Sequence, residues 1–205
     1  AVGYDAGRNV TTGLKNTLIG SFAGNYTSTA DSSTFIGYNA GLGISGTQLT
    51  GDDNTAVGRN TGALLQGAAN SNTLVGAYAG DALTTGSNNV AVGFESLSTE
   101  DAHGNNIAIG NRALKTLNAG AAGLNVAIGD DAGLAMTSGI QNTLVGGLAG
   151  DALEDADANV AIGKGALTTD RLGSYSVAVG FAALEAQIFT SATNSYNTAV
   201  GAAAG

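Results

Sequence analysis

The sequence predicts an all-β fold: a parallel β-solenoid, or β-roll, of about twelve 17-residue coils. Three observations predict it. A nine-residue phrase, seen clearly in Asn89-Val90-Ala91-Val92-Gly93-Phe94-Glu95-Ser96-Leu97, recurs from end to end. Its central glycine falls at Gly3, Gly20, Gly37, Gly58, Gly76, Gly93, Gly110, Gly129, Gly146, Gly163, Gly180 and Gly201, mostly 17 residues apart. The residue before that glycine is Val or Ile in all twelve copies. Self-similarity at a short fixed period marks stacked units, each too small to bury a face alone. Nothing marks a linker or a second unit. Residues 1–205 are therefore read as a single repeat domain, and, since both ends fall inside a repeat, as part of a longer polypeptide.

Each element of the phrase has a physical reading, with positions counted from the glycine. Position −4 is Asn in nine copies and Ser in two (Ser33, Ser176). Stacked coils sit roughly 4.8 Å apart, so these amides are expected to bond to the copies above and below as a ladder. Positions −3 to −1 pair a Thr, Val or Ile with a small or large apolar residue and a second Val or Ile. That pattern makes a short strand whose neighbouring side chains face opposite ways. Both faces are apolar, so both are expected to be buried, one inside the coil and one against another layer or chain. The glycine ends the strand, where positive φ or close backbone approach favours a residue without Cβ. Position +3 is Ala in ten copies, which implies a tight spot.

Two columns exchange size. The four copies with a large residue at −2 (Leu18, Phe35, Leu74, Leu144) all have Gly at +4. The four with Leu at +4 (Leu97, Leu114, Leu167, Leu184) all have Ala at −2. The two positions are expected to compete for one volume in a close-packed interior. Between phrases lie polar connectors, eight residues long in the 17-residue repeats, read as a turn plus a second short extended segment. Two connectors have twelve residues, 42–53 and 185–196, and are expected to bulge outward as loops.

The phrase resembles the head repeat of trimeric autotransporter adhesins of the YadA type, whose signature runs Asn-Ser-Val-Ala-Ile-Gly with a small residue three later. Asn125-Val126-Ala127-Ile128-Gly129, Asn159-Val160-Ala161-Ile162-Gly163 and Ser176-Val177-Ala178-Val179-Gly180 come closest. It is equally similar to the repeat arrays of phage tail fibres, through phrases such as Asn142-Thr143-Leu144-Val145-Gly146 and Asn54-Thr55-Ala56-Val57-Gly58. The resemblance covers the whole chain and implies a homotrimeric rod in which three chains bury each other's outer strand face. The adhesin heads use a shorter period, near fourteen residues, so cross-section and handedness do not carry over.

Composition narrows the function. The chain has 43% hydrophobic and 11% charged residues, the reverse of a disordered chain. It lacks Pro and a three-residue glycine period, which excludes collagen. No apolar run approaches the ~18 residues of a membrane span, so no membrane insertion is expected. Seven Lys and Arg against a net charge of −9 argue against a nucleic-acid partner. The absence of Cys removes disulfides and thiolate metal sites.

The candidates for chemistry are few. Gly41-Leu42-Gly43-Ile44-Ser45-Gly46 spells a dinucleotide-binding motif, but it follows a repeat phrase rather than opening a helix. His103 is the only His and lies in a polar connector, so it is read as a solvated loop residue. The acidic clusters at Asp52-Asp53, Asp130-Asp131 and 151–157 are read as surface solvation. No metal, cofactor or catalytic residue is assigned, and the chain is not expected to be an enzyme. Candidate surface contacts are aromatic. Tyr4, Phe22, Tyr38, Tyr78, Phe94 and Phe181 occupy the two positions after the glycine, and Ile188, Phe189 and Tyr196 lie in the second long connector. The six rings after the glycines suit an exposed ladder for sugar or protein, but folding back to cover the coil is the preferred reading. The function expected is a structural segment of an extracellular or virion fibre, self-associated as a homotrimer and contributing to attachment to a host-surface glycan or protein. The alternative is an ice- or surface-binding solenoid, suggested by Thr at position −3 in six copies.

Overall fold

A computed structural model describes all residues, 1–205. The chain winds as a parallel β-solenoid. Eleven three-residue strands stack into one parallel sheet: β1 (Thr17–Ile19), β2 (Thr34–Ile36), β3 (Thr55–Val57), β4 (Thr73–Val75), β5 (Val90–Val92), β6 (Ile107–Ile109), β7 (Val126–Ile128), β8 (Thr143–Val145), β9 (Val160–Ile162), β11 (Val177–Val179) and β13 (Thr198–Val200). Register is strict. Each position −3, −2 or −1 pairs with the same position one coil away, as Val90↔Ile107, Ala91↔Ala108 and Val92↔Ile109 show. The first copy supplies only a bridge from Val2 to Ile19. The regular part thus runs for about 50 Å at one strand spacing per coil. No helix is long and apolar enough to cross a membrane.

The strands carry a minority of the backbone bonding. Of 121 backbone hydrogen bonds, 100 lie outside them; many run from coil to coil at the corners, and others close turns within a coil, as Ala23 N to Gly20 O does. The cause is a recurring set of left-handed residues. Positions −5, +2 and +4 have φ near +50 to +65°, as at Asn88, Glu95 and Leu97. At each, the N–H turns towards a neighbouring coil: Glu95 N donates to Ala77 O and Leu97 N to Ala113 O. The central glycines have φ of 131–145°. A Cβ on any of them from Gly3 to Gly180 would run into the carbonyl of the next coil's glycine. Only glycine fits that column, because both the dihedral and the separation exclude a side chain.

The connectors are mostly turns and bends. The expected second extended segment pairs only locally: β10 (Gly173–Ser174) with β12 (Thr193–Asn194), and single bridges from Leu49 to Thr27 and Gly67. The inserted residues explain the last pair. The long connector lets Leu49 return into the core opposite Thr27, where neighbouring coils place Leu65 or Leu83.

The core is one continuous column of 33 buried residues, mainly Ala and Leu. The size exchange is visible in it. A Cβ at Gly24 would meet Leu18 Cδ2 at 2.6 Å and Phe35 Cδ2 at 3.0 Å. One at Gly133 would meet Leu144 Cδ1 at 2.9 Å, from the following coil. A large residue at −2 thus needs Gly at +4 in its own coil and in the preceding one. Every large residue has both: Gly24 and Gly7 for Leu18, Gly41 and Gly24 for Phe35, Gly80 and Gly62 for Leu74, Gly150 and Gly133 for Leu144. Leu at +4 occurs only where its own coil and the next both carry Ala at −2.

The outer strand face, expected to be covered by another layer or another chain, is not covered by a second layer of this chain: within a single chain the strands are buried on one face only. Position −2 is buried throughout, whereas positions −1 and −3 point outward and are half-buried or exposed, as with Ile128 at 38% and Ile162 at 40%. Strand alternation makes this unavoidable: with −2 inside, its neighbours must face out.

Candidate functional site

Three surfaces and one buried feature are candidates. The first surface is the outward sheet face. Position −1 presents Val or Ile in every copy, and position −3 presents Thr, Val or Ile, with no charged residue in either column. The Thr residues form one run of four, Thr17, Thr34, Thr55 and Thr73, interrupted by Val90, Ile107 and Val126 before Thr143.

The second surface is the corner after each glycine, where the aromatics lie. They do not fold back to cover the coil. Tyr4, Tyr38, Phe94 and Phe181 are exposed, and Phe22 and Tyr78 are half-buried. The reason is the left-handed residue at +2, which is followed at once by the buried small residue at +3. That leaves the interior no room for a ring. The rings instead meet along the rod axis. Tyr4 and Phe22 pack edge to face at 5.3 Å, Phe22 and Tyr38 at 6.3 Å, Tyr78 and Phe94 at 6.2 Å. Each such pair contributes roughly 0.5–1.5 kcal/mol beyond area burial. Arg59 stacks over Tyr78 at 4.6 Å, extending the second group by one coil. Positions alternate +1, +2, +1 in both groups. Phe181 joins neither.

Beside the first aromatic group lies an open groove of about 550 Å³, lined by Asp5, Arg8, Asn9, Phe22, Asn25, Tyr26, Tyr38, Asn39 and Leu42. Its amides are held in place. Asn9 Nδ2 donates to Asn25 O at 3.0 Å and Asn25 Oδ1 at 2.9 Å. Asn25 Nδ2 donates to Asp5 O at 3.0 Å, and Asn39 Nδ2 to Asn60 Oδ1 at 3.0 Å. Sequence reasoning found the rings but not these polar neighbours. The signal was present, since Asn9 and Tyr26 share one column and Arg8, Asn25 and Leu42 another.

The third surface is the long connector of 185–196. Ile188 and Tyr196 are exposed, and Phe189 is half-buried. Ile188 and Phe189 line a pocket of about 710 Å³ beside the last coil. Tyr196 stacks on Tyr175 at 5.3 Å, with planes 22° apart. Tyr175 was not singled out from sequence, although it shares position −5 with Tyr196.

The buried feature lies in the polar connectors. Glu100 and Asp170 occupy the same position, +7, and both are fully buried. Both lie in coils with Leu at +4, Leu97 and Leu167. Glu100 Oε1 accepts His103 N at 3.0 Å and Oε2 accepts Ala119 N at 3.1 Å. Asp170 Oδ1 accepts Gly173 N at 3.3 Å and Phe189 N at 2.9 Å. Each carboxylate therefore caps two connector N–H groups from inside. His103 is not fully solvated: its side chain is 32% exposed, with Nδ1 3.3 Å from Glu100 Oε1. Glu100, Asp101 and His103 bring one potential ligand atom each within 4.8 Å of one another. Because Asp170 plays the same capping role with no His beside it, the Glu100 carboxylate is explained by its backbone partners.

The acidic residues also have a pattern hidden in the sequence. At position −6, Asp31 Oδ1 accepts Leu14 N at 2.6 Å, Asp52 Oδ1 accepts Asp31 N at 2.7 Å, and Asp157 Oδ1 accepts Ile140 N at 2.8 Å. Ser87 and Ser174 do the same with Oγ. The Gly41–Gly46 motif lies in a turn-rich connector with no helix after it.

The geometry assembles a rod with one largely apolar outward sheet face and aromatic corners. The chain is a parallel β-solenoid repeat protein, and it matches no protein-family model, no curated protein and no solved structure.

Proposed function

We propose that the chain is a structural segment of an extracellular or virion fibre, in which three copies pack their outward sheet faces together around a common axis. The observation that carries this is the unbroken apolar column at position −1, with a second largely apolar column beside it and no charge in either. An exposed apolar strip about 50 Å long is an aggregation hazard unless something covers it, and a second copy of the same regular face fits it best. Three-fold packing is what the resemblance to adhesin heads and tail-fibre arrays implies. The aromatic corners then remain on the outside of the rod, available to a cell-surface glycan or protein. No reaction is assigned.

The ice-binding alternative needs a regular array of hydroxyls. The Thr column holds its regularity for only four coils, and aliphatic residues replace Thr in five of the eleven strands. This favours the fibre.

Sedimentation or light scattering tests the proposal. The chain should run at three times its 19.9 kDa. Ile128→Asp with Ile162→Asp, both partly exposed and outward-facing, should give single chains with unchanged circular dichroism. A wild-type monomer, or thermal hysteresis in cooled solution, would overturn it.

A further inference from the structure

The geometry points to a saccharide-binding groove on the corner of the first three coils, formed around Phe22 by Asn9, Asn25, Tyr26, Tyr38 and Asn39, with a neutral hexose chain as its ligand. The inference rests on the proposal that the rod's corners meet a cell surface, and it names the class of molecule met there.

Four observations carry it. The groove is concave, and its volume of about 550 Å³ lies within the roughly 300–1,000 Å³ of small-molecule sites. It combines aromatic rings with planar polar side chains. Sugars need both, because a pyranose ring offers an apolar C–H face and a rim of hydroxyls. The polar groups are pre-oriented. Asn9, Asn25 and Asn39 spend their Nδ2 groups on neighbouring coils. Their amide planes are thereby fixed before any ligand arrives, which lowers the ordering cost of binding. Finally, acceptors and donors remain unspent: no hydrogen bond within the chain engages Asn9 Oδ1, Asn39 Oδ1 or the hydroxyls of Tyr26 and Tyr38.

Charge selects among sugars. Asp5 and Arg8, the only charged residues lining the groove, pair with each other at 3.3 Å. A uronic or sialic acid would meet the Asp5 carboxylate beside the one cation, Arg8, whereas hydroxyls find amides and phenols. A peptide is the less suitable occupant. The rings sit edge to face at 83° rather than forming a deep apolar cleft.

Saturation-transfer NMR on the 205-residue chain with lactose, maltose and cellobiose as probes is the test. At least one disaccharide should receive saturation at millimolar concentration. Phe22→Asn keeps a residue that tolerates the left-handed backbone at this site (φ 60°) and should weaken the signal at least tenfold, as should Asn39→Leu. Tyr78→Asn, on the separate aromatic group, should leave it unchanged. Far-UV circular dichroism and mass in solution should be unaltered in all three. Absence of saturation for every sugar overturns the groove, as does binding that survives both groove substitutions, or that is shown only by an apolar peptide. A trimer without sugar binding removes the groove alone. Sugar binding by a monomer removes the rod and keeps the groove.

Discussion

At the residue scale, the Asn at position −4 carries more bonds than any other side chain of the repeat. Asn142 is typical. Its Oδ1 accepts Asn159 N at 2.9 Å, and its Nδ2 donates to Ala156 O at 2.7 Å. One amide thus ties a strand start and a connector of the next coil. Both Ser substitutes, Ser33 and Ser176, stand in coils that run into a twelve-residue connector. Ser33 Oγ keeps the bond to Asn54 N at 3.2 Å but makes none to the following connector. The Leu residues at +4 are a second case. Leu97 has φ 51°, a left-handed strain of roughly 1–2 kcal/mol for a residue with a Cβ. Full burial of its side chain returns roughly 1.5–3 kcal/mol, so the leucine is retained. Ala91→Leu should clash with Leu97 and destabilise by about 1–3 kcal/mol in urea denaturation. Adding Leu97→Gly should recover most of that loss, since it recreates the arrangement around Leu74. Asp81 gives a pH prediction. Burial pushes its carboxyl above the ordinary 3.8, and Glu95 pushes the same way, against the backbone N–H groups of Asp81 and Ala82. A raised folded-state value means the native chain binds this proton more tightly than the unfolded chain. Its contribution to stability is therefore complete below 3.8 and is lost as pH rises through the higher folded value. Asp81→Asn should raise the melting temperature at neutral pH and remove that part of the pH slope.

At the element scale, a three-residue strand is too short to persist alone, and it persists here because the glycine column lets adjacent coils approach without side chains between them. Gly110→Ala would drive a methyl into the Gly129 carbonyl at φ 141°. It should cost several kcal/mol or prevent folding, beyond the roughly 1 kcal/mol of an ordinary glycine effect. Gly147 lacks both constraints, its nearest neighbour being Asp130 O at 3.8 Å. Gly147→Ala should be neutral or stabilising by about 0.4–1 kcal/mol. Paired thermal melts of the two variants check this. The same contrast shows what was legible in the sequence. The strand, glycine, Asn and +4 columns were readable because each is filled by one or two residue types in phase. The −6 column was not, because Asp31, Asp52, Asp157, Ser87 and Ser174 mix types that share only an oxygen acceptor. Glu100 and Asp170 were missed for a different reason. A connector without hydrophobic alternation does not reveal which residue points inward, and a carboxylate was assigned to solvent by default. The direction of the rings after each glycine depended on the left-handed +2 residue, which no residue type signals when Phe22, Tyr78, Glu95 and Leu148 all occupy it.

At the scale of the whole molecule, the rod is quasi-one-dimensional: each coil touches only its neighbours, so stability is a sum of coil and interface terms. Removing one coil should then be tolerated when the new neighbours fit. Deleting residues 125–141 joins Leu124 to Asn142 and places Leu114 directly beneath Leu144. The shortened chain should melt well below the parent. Adding Leu114→Gly to the same deletion should restore most of the difference, measured by circular dichroism, although the rod is one coil shorter.

The size exchange acts as a grammar of succession. Coils come in three kinds: large at −2 with Gly at +4, Ala with Leu, and Ala with Gly. An Ala-with-Leu coil can follow any kind, but a large-with-Gly coil cannot follow an Ala-with-Leu coil. The one place where the chain passes from the latter kind to the former, between Leu114 and Leu144, is bridged by the Ala127–Gly133 coil, the neutral kind. Gain or loss of a coil is thereby filtered by what each newly adjacent pair places in a shared cavity. The rod can lengthen or shorten by whole coils, while the order of coil kinds is held to the permitted junctions.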